Sequence, residues 1–152
     1  MITIYTDGSS RGNPGPGGFG AVLISGPHRK EISQGFRLTT NNRMELLSVI
    51  VALESLKKDG EHVTVYSDSK YVVDAIEKKW LMGWEKKNFH DKKNPDLWKR
   101  FLIVYRKHHV KFKWVKGHAS NEENNRCDEL AVAASFHAHL HADAEYEREK
   151  NS

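Results

Sequence analysis

Two aspartates in this chain sit in nearly the same local sequence. Tyr5-Thr6-Asp7-Gly8 is echoed by Tyr66-Ser67-Asp68-Ser69, each after an alternating apolar run. Side chains alternate along a strand, so Asp7 shares a face with Tyr5 and Asp68 with Tyr66. Were the two strands parallel neighbours, both carboxylates would stand at one edge of a sheet. Paired carboxylates repel unless a cation or a shared proton intervenes, so the arrangement implies metal chemistry or a proton held in common. Glu45 heads a helical stretch and admits two readings: the acid of a capping box, Asn42-x-x-Glu45, or a side chain turned toward the sheet. His118 follows a glycine in Lys116-Gly117-His118-Ala119. An imidazole titrating near neutrality could move a proton to or from a phosphate ester there. Asp128, beside Glu129 in a helical pattern, reads on its own equally as a surface acid. His137, His139 and His141 have the spacing of a metal tract, but an ordinary surface tract is the stronger reading.

Elements must then place these groups. Residues 2–7, 19–25 and 30–37 read as three strands in an antiparallel meander, the first ending at Asp7. Pro14 to Gly18 reads as hairpin turn chemistry; it has neither a dinucleotide fingerprint nor the Lys-Ser/Thr of a P-loop. The capping cluster Thr39-Thr40-Asn41-Asn42 precedes a helix over 43–58, with Leu46, Val49, Leu53 and Leu56 as its buried stripe and Gly60 as its stop. Strand 62–68 and a helix over 69–79 follow. Residues 81–94 are irregular, with a short helical piece over 81–87. A helix over 97–107, a strand over 110–115 and a last helix from 121 complete the order. Strands joined through helices imply parallel pairing with right-handed crossovers. The expectation is an α/β domain with a five-stranded mixed sheet, three antiparallel strands and then parallel ones, flanked by helices.

At 152 residues with one cysteine, Cys127, the chain reads as one domain without an internal disulfide, fitted to a reducing compartment. No apolar run reaches membrane-spanning length and Met1 leads straight into a strand, which points to the cytoplasm. The charge is unevenly placed. The whole chain is only +4, yet Lys78 to Lys116 holds 13 Lys/Arg against 3 Asp/Glu, interleaved with Trp80, Trp84, Phe89, Trp98 and Trp114. Basic and aromatic side chains so mixed suit a nucleic-acid backbone and its sugars; a solvated face over core aromatics is the plainer alternative. Lys86 and Lys87 lie where no core pattern restrains them, so they can project toward phosphates.

Several motifs together carry a resemblance. Thr6-Asp7-Gly8-Ser9, Thr39-Thr40-Asn41-Asn42-Arg43-Met44-Glu45-Leu46, Ser67-Asp68-Ser69 and Trp114-Val115-Lys116-Gly117-His118 stand in one order. Asn124-x-Arg126-Cys127-Asp128-Glu129-Leu130-Ala131 follows them. In that order the chain resembles type 1 ribonuclease H of the bacterial kind, over residues 1–135; the tail 136–152 matches nothing and is expected to be poorly ordered at its end. The resemblance implies an endonuclease that cuts the RNA strand of RNA–DNA hybrids with two Mg²⁺ ions, Mn²⁺ being a plausible substitute, and leaves 5′-phosphate and 3′-hydroxyl ends. It implies that Asp7, Glu45, Asp68 and Asp128 are catalytic and bind the metal, with His118 as proton carrier. Gly8, Ser9, Ser10, Asn13, Thr40, Asn41, Asn42, Trp80 and Trp84 would contact the hybrid, joined by Lys70 and by Lys86 and Lys87. A monomer is expected, with no membrane partner. Ser10 replaces a cysteine of some relatives, Lys70 a glutamine, and Leu38 an arginine; the basic protrusion, Glu85 to Asn94, is short. The alternatives are a non-catalytic hybrid-binding module and an integrase- or resolvase-like DNA nuclease of related fold.

Overall fold

The computed structural model describes residues 1–116 and 121–150. Its sheet has five strands: β1 (Ile2–Ser10), β2 (Gly15–Ser25), β3 (His28–Thr39), β4 (His62–Ser67) and β5 (His109–Trp114). They lie in the order β3-β2-β1-β4-β5. The first three form the antiparallel meander, and β1–β4 and β4–β5 are parallel. Six helices accompany them: α1 (Asn41–Glu54), α2 (Lys70–Glu77), α3 (Trp80–Lys86), α4 (Pro95–Tyr105), α5 (Glu122–Ser135) and α6 (Ala144–Lys150). The mixed α/β sheet expected from the sequence is present. No helix among the described residues is long and apolar enough to cross a membrane.

The α1 helix is the centre of the core. Arg43 to Ile50, with Ala52 and Leu53, are buried, so the burial goes all round rather than along one stripe. The sheet covers one side of α1, and Leu97, Trp98, Phe101 and Leu102 of α4 join the same core from the other. An edge-on stack runs from Trp98 to Phe101 at 5.8 Å, and Phe101 lies 6.0 Å from Phe112 of β5. The helix ends at Glu54 with Ser55 as its cap, short of the stop expected at Gly60.

The glycine-rich stretch is a strand rather than the hairpin turn expected over Pro14 to Gly18. β2 begins at Gly15 and pairs with β1 as far as Ser10↔Gly17. These glycines serve the opposite layer. A Cβ on Gly18 would lie 2.4 Å from the Ala131 carbonyl oxygen, one on Gly20 2.5 Å from that of Cys127, and one on Gly35 2.1 Å from that of Ala134. α5 therefore rests its backbone directly on β2 and β3, where any side chain would push it away.

Residues after 136 carry contacts that no sequence pattern announced. His141 bridges to β3, donating its N–H to the Gly35 carbonyl and accepting from the Arg37 N–H, both at 2.9 Å. Arg37 grips Glu147 with one guanidinium edge, through Nε and Nη2. Deeper in, Arg43 is only 2% exposed. Its guanidinium donates to both oxygens of Asp143 (2.7 and 2.9 Å), to both of Asp96 (3.0 and 2.7 Å) and to Asn94. Thr39 also donates to Asp143. One buried cation thus joins α1, the start of α4 and the approach to α6, and its hydrogen bonds are saturated. Removing Asp143 leaves two of the five guanidinium N–H groups buried without an acceptor, while Asp96 still balances the charge. Asp143→Ala is therefore expected to cost about 1–3 kcal/mol of stability, read from urea denaturation; no measurable loss would show that water readily replaces the carboxylate.

Candidate active site

Asp7 stands where the two sides of β1 part company. Pairing with parallel β4 ends at Thr6↔Ser67, whereas pairing with β2 continues to Ser10. β1 therefore does not stop at Asp7, as the sequence suggested; only its β4 side opens there. Asp68 follows the last residue of β4, so the parallel register brings the two acids to one end of the sheet.

Glu45 arrives from the helical layer. Thr40 is the N-cap of α1, accepting from the Arg43 N–H, so the capping box expected between Asn42 and Glu45 does not form. Glu45 instead points at the sheet and accepts the Gly8 N–H in a short hydrogen bond. Gly8 makes this possible. A Cβ there would lie 2.4 Å from the Met44 carbonyl carbon and 2.5 Å from the Glu45 nitrogen, so the helix touches the strand backbone to backbone. The same N–H reaches Asp7 Oδ1 at 2.9 Å. Asp7, Glu45 and Asp68 each offer a carboxylate oxygen within 4.8 Å of the others, the one group among the described residues that could hold a metal this way. The histidine tract 137–141 does not converge so.

Asp68 is held through its backbone. Trp114 Nε1 donates to its carbonyl at 3.1 Å, and Ser69 caps α2 immediately after it. The Lys70 ammonium lies 4.9 Å from the Trp114 ring centre, which places it beside this turn. Asp128, on α5, lies outside the 4.8 Å group, although its charge still acts on Asp7. α5 reaches β1 beside it, where Cys127 Sγ donates to the Tyr5 carbonyl at 3.2 Å. His118 falls outside the described residues.

A polar group borders the acids. Asn41 Oδ1 accepts from the Ser10 N–H at 2.7 Å and its hydroxyl at 3.1 Å, and the Asn41 N–H donates to Asn13 Oδ1. Asn13, Thr40 and Asn42 line one wall of a cavity of about 510 Å³, with Lys92, Lys93 and Asn94 on another. Ser9 precedes Ser10 on β1, opposite Gly18. The basic and aromatic residues divide. Trp80 is exposed, and Lys86 and Lys87 project into solvent. Trp84 is half-buried: its ring meets Trp98 edge-on at 5.7 Å, with the Lys92 ammonium 5.1 Å from it.

Charge crowding leaves a mark on the acids. Burial, then the nearby Asp68 and Asp128 charges, push the Asp7 carboxyl up to about 7, against the relief of hydrogen bonds from Glu45 and Gly8. Burial and the Asp7 charge hold Glu45 well above the ordinary carboxylate range. In the unfolded chain both titrate near pH 4. Between about pH 4 and 7 the metal-free native state thus binds protons that the unfolded state has released, and its stability falls as pH rises. For Asp7 the expected slope approaches about 1.4 kcal/mol per pH unit, absent below about pH 4 and complete above about 7, and Glu45 adds to it in the same direction. Urea titrations in chelator should show it in the wild type and a shallower slope in Asp7→Asn, where buried Glu45 still contributes; equal slopes would mean that Asp7 is better solvated than its burial indicates.

Comparison with known proteins agrees with this geometry. The RNase H family profile matches residues 1–136. A ribonuclease H of Desulforamulus reducens is 55% identical over 147 residues, covering 93% of this chain and 92% of the relative. Among solved structures, LC9-RNase H1, a type 1 RNase H with the type 2 active-site motif, is similar at a TM-score of 0.79 and 31% identity, covering 88% of this chain and 71% of that one. LC11-RNase H1, solved in complex with an RNA/DNA hybrid, is similar at a TM-score of 0.68 and 29% identity, with 88% and 96% covered. The chain belongs to the ribonuclease H family.

Proposed function

We propose that the chain is an endonuclease hydrolysing the RNA strand of RNA–DNA hybrids, with divalent metal held by Asp7, Glu45 and Asp68 and with Asp128 completing the set. The observation that carries this reading is the convergence of three carboxylates from three separate elements. The donors are all oxygen, a chemistry that suits hard cations, so Mg²⁺ is the natural occupant and Mn²⁺ its substitute. The strained protonation of Asp7 and Glu45 supports the same conclusion, since a cation relieves the repulsion that otherwise retains their protons. When bound, a pair of such ions supplies a water of lowered pKa and neutralises charge building on the phosphate, leaving 5′-phosphate and 3′-hydroxyl ends.

The chain's own residues do the rest. The Gly8 N–H orients Glu45 toward the other acids, and the carbonyl of Asp68 is anchored by the Trp114 indole. Ser10, Asn13 and Asn41 are preset by their mutual hydrogen bonds, and with Gly8, Ser9, Thr40 and Asn42 they form a polar edge able to read 2′-hydroxyls and phosphates across a shallow groove. Trp80, Lys70, Lys86 and Lys87 supply exposed apolar and cationic contact on the other side. His118 serves as the proton carrier near the leaving group. The protein acts as a cytoplasmic monomer.

A substrate panel tests this: labelled hybrid, duplex DNA, duplex RNA and single strands, each with Mg²⁺, Mn²⁺ or chelator. Only the hybrid's RNA strand should be cut, and only with metal. Asp68→Asn and Glu45→Gln should each lower turnover by at least about 10²–10³-fold, with circular dichroism unchanged. Near-normal turnover in either folded variant would remove that acid from the site. Lys86→Ala/Lys87→Ala should raise KM with kcat preserved and flatten the slope of log affinity against log salt by about 2. An unchanged slope would make these lysines solvated surface only.

A further inference from the structure

One face of the sheet, apart from Asp7 and Asp68 at its end, has no part in the site described so far. β5 is an edge strand, and Phe112 points into the core with Phe101 and Tyr105. By alternation His109, Lys111 and Lys113 stand on the opposite face, and the parallel register aligns them with His62, Thr64 and Tyr66 of β4. Tyr66 in turn aligns with Tyr5 of β1. The packing of α5 is on β1, β2 and β3. His62, His109, Lys111 and Lys113 are exposed, and Tyr5 and Tyr66 are half-buried.

The side chains on this face are ordered into rungs. The His62 and His109 rings stack at 4.6 Å and 17°. Tyr5 and Tyr66 stack at 5.0 Å and 13°, and the Lys113 ammonium lies 5.9 Å from the Tyr66 ring centre. Among the described residues neither Lys111 nor Lys113 joins an ion pair, whereas Arg29, Arg37, Arg43, Arg100, Arg106, Arg126 and Arg148 all do. The acidic groups bordering the face are Asp7 and Glu123 at its Tyr5 end, Asp68 just beyond Tyr66, and Glu77, whose carboxylate accepts the Phe112 N–H at the outer edge of β5. The two stacked rungs lie about 13 Å apart along the strands, with Thr64 and Lys111 between them, and lead to the acids, since Asp7 and Asp68 follow Tyr5 and Tyr66 by two residues on the same face.

We propose that this face binds a single strand of nucleic acid that continues beyond the hybrid, past the acidic site. The inference rests on the hybrid nuclease reading above. Unpaired cations with interleaved rings are what a sequence-tolerant single-strand track needs: ammonium groups for phosphates, and aromatic and imidazole edges for bases and sugars. Width argues for one strand. Three adjacent strands span about 10 Å, enough for a single backbone and too little to seat a duplex. The track's continuity with the acids gives it a strand to receive.

The test compares a blunt hybrid with the same hybrid carrying an unpaired RNA extension of about 10 nucleotides at either end. Binding is read by fluorescence anisotropy in chelator, and cleavage is measured separately with Mg²⁺. Wild-type protein should bind one extended form about tenfold more tightly than the blunt one, with a salt slope steeper by about 2. Lys111→Glu/Lys113→Glu should abolish that advantage while cleaving blunt hybrid within about twofold of wild type. Lys111→Gln/Lys113→Gln carries the same test if charge reversal perturbs folding, which its thermal transition will reveal. The proposal is overturned if wild-type protein binds blunt and extended hybrids alike, or if the advantage survives in the folded variants. It is also overturned if the substitutions only promote association of the protein, which would make the lysines guards of an exposed edge strand. Failure of wild-type protein to cut blunt hybrid would instead strike the nuclease reading, since the binding comparison does not depend on cleavage.

Discussion

An acid can be delivered to the end of a sheet from the helical layer only where helix and strand backbones nearly touch. Here that contact is at Gly8, whose missing side chain admits the first turn of α1 and whose N–H receives the Glu45 carboxylate. Asp7 and Asp68 come from parallel strands, so their proximity follows from register alone. Glu45 depends on the placement of a whole helix. That placement is secured from behind: α1 is buried on the sheet side and on the α4 side, and Arg43, two residues before Glu45, is locked to Asp96 and Asp143. A rigid first turn keeps a carboxylate in place against its own repulsion.

Stability and chemistry pull in opposite directions at this sheet end. Two of its carboxyls hold protons they would release in water, a cost that the rest of the molecule offsets by apolar packing around Trp98, Phe101 and Leu53. The α5 helix shows a milder form of the same economy. Its first turns are tied to β3 by Arg29 to Glu123 and by Arg126 to Glu31, exposed pairs worth little singly. Together with the glycine bed on β2 and β3 they orient the helix that carries Asp128.

Much of this was legible in the residues. The mixed sheet and the approach of Asp7 to Asp68 follow from the repeated Tyr-x-Asp pattern and from alternation, because register obeys a period of two. The glycines of β2 were misread, since their purpose lies in a helix over a hundred residues downstream. A local window sees only turn chemistry there. Glu45 was ambiguous for a related reason: capping and sheet-facing glutamates share one spacing, and only the Gly8 contact separates them. That the half-buried Trp84 ring also packs edge-on against Trp98 is a long-range contact that composition does not reveal. The buried role of Arg43 and the docking of residues 141–147 left no periodic trace at all. They rest on single long-range pairs, which no pattern of neighbours encodes.

The tie between Arg43 and Asp143 has a consequence for how the molecule is made. The two residues are separated by 100 positions. On a ribosome adding about 5–20 residues each second, α1 emerges several seconds before the carboxylate that completes its buried ion pair. Asp96 arrives earlier and can neutralise the guanidinium, but it leaves the Asp143 side of the fork exposed. Until Asp143 emerges, the helix bearing Glu45 lacks one of its anchors. Settling of the acidic cluster is therefore coupled to emergence of Asp143 rather than to completion of the sheet.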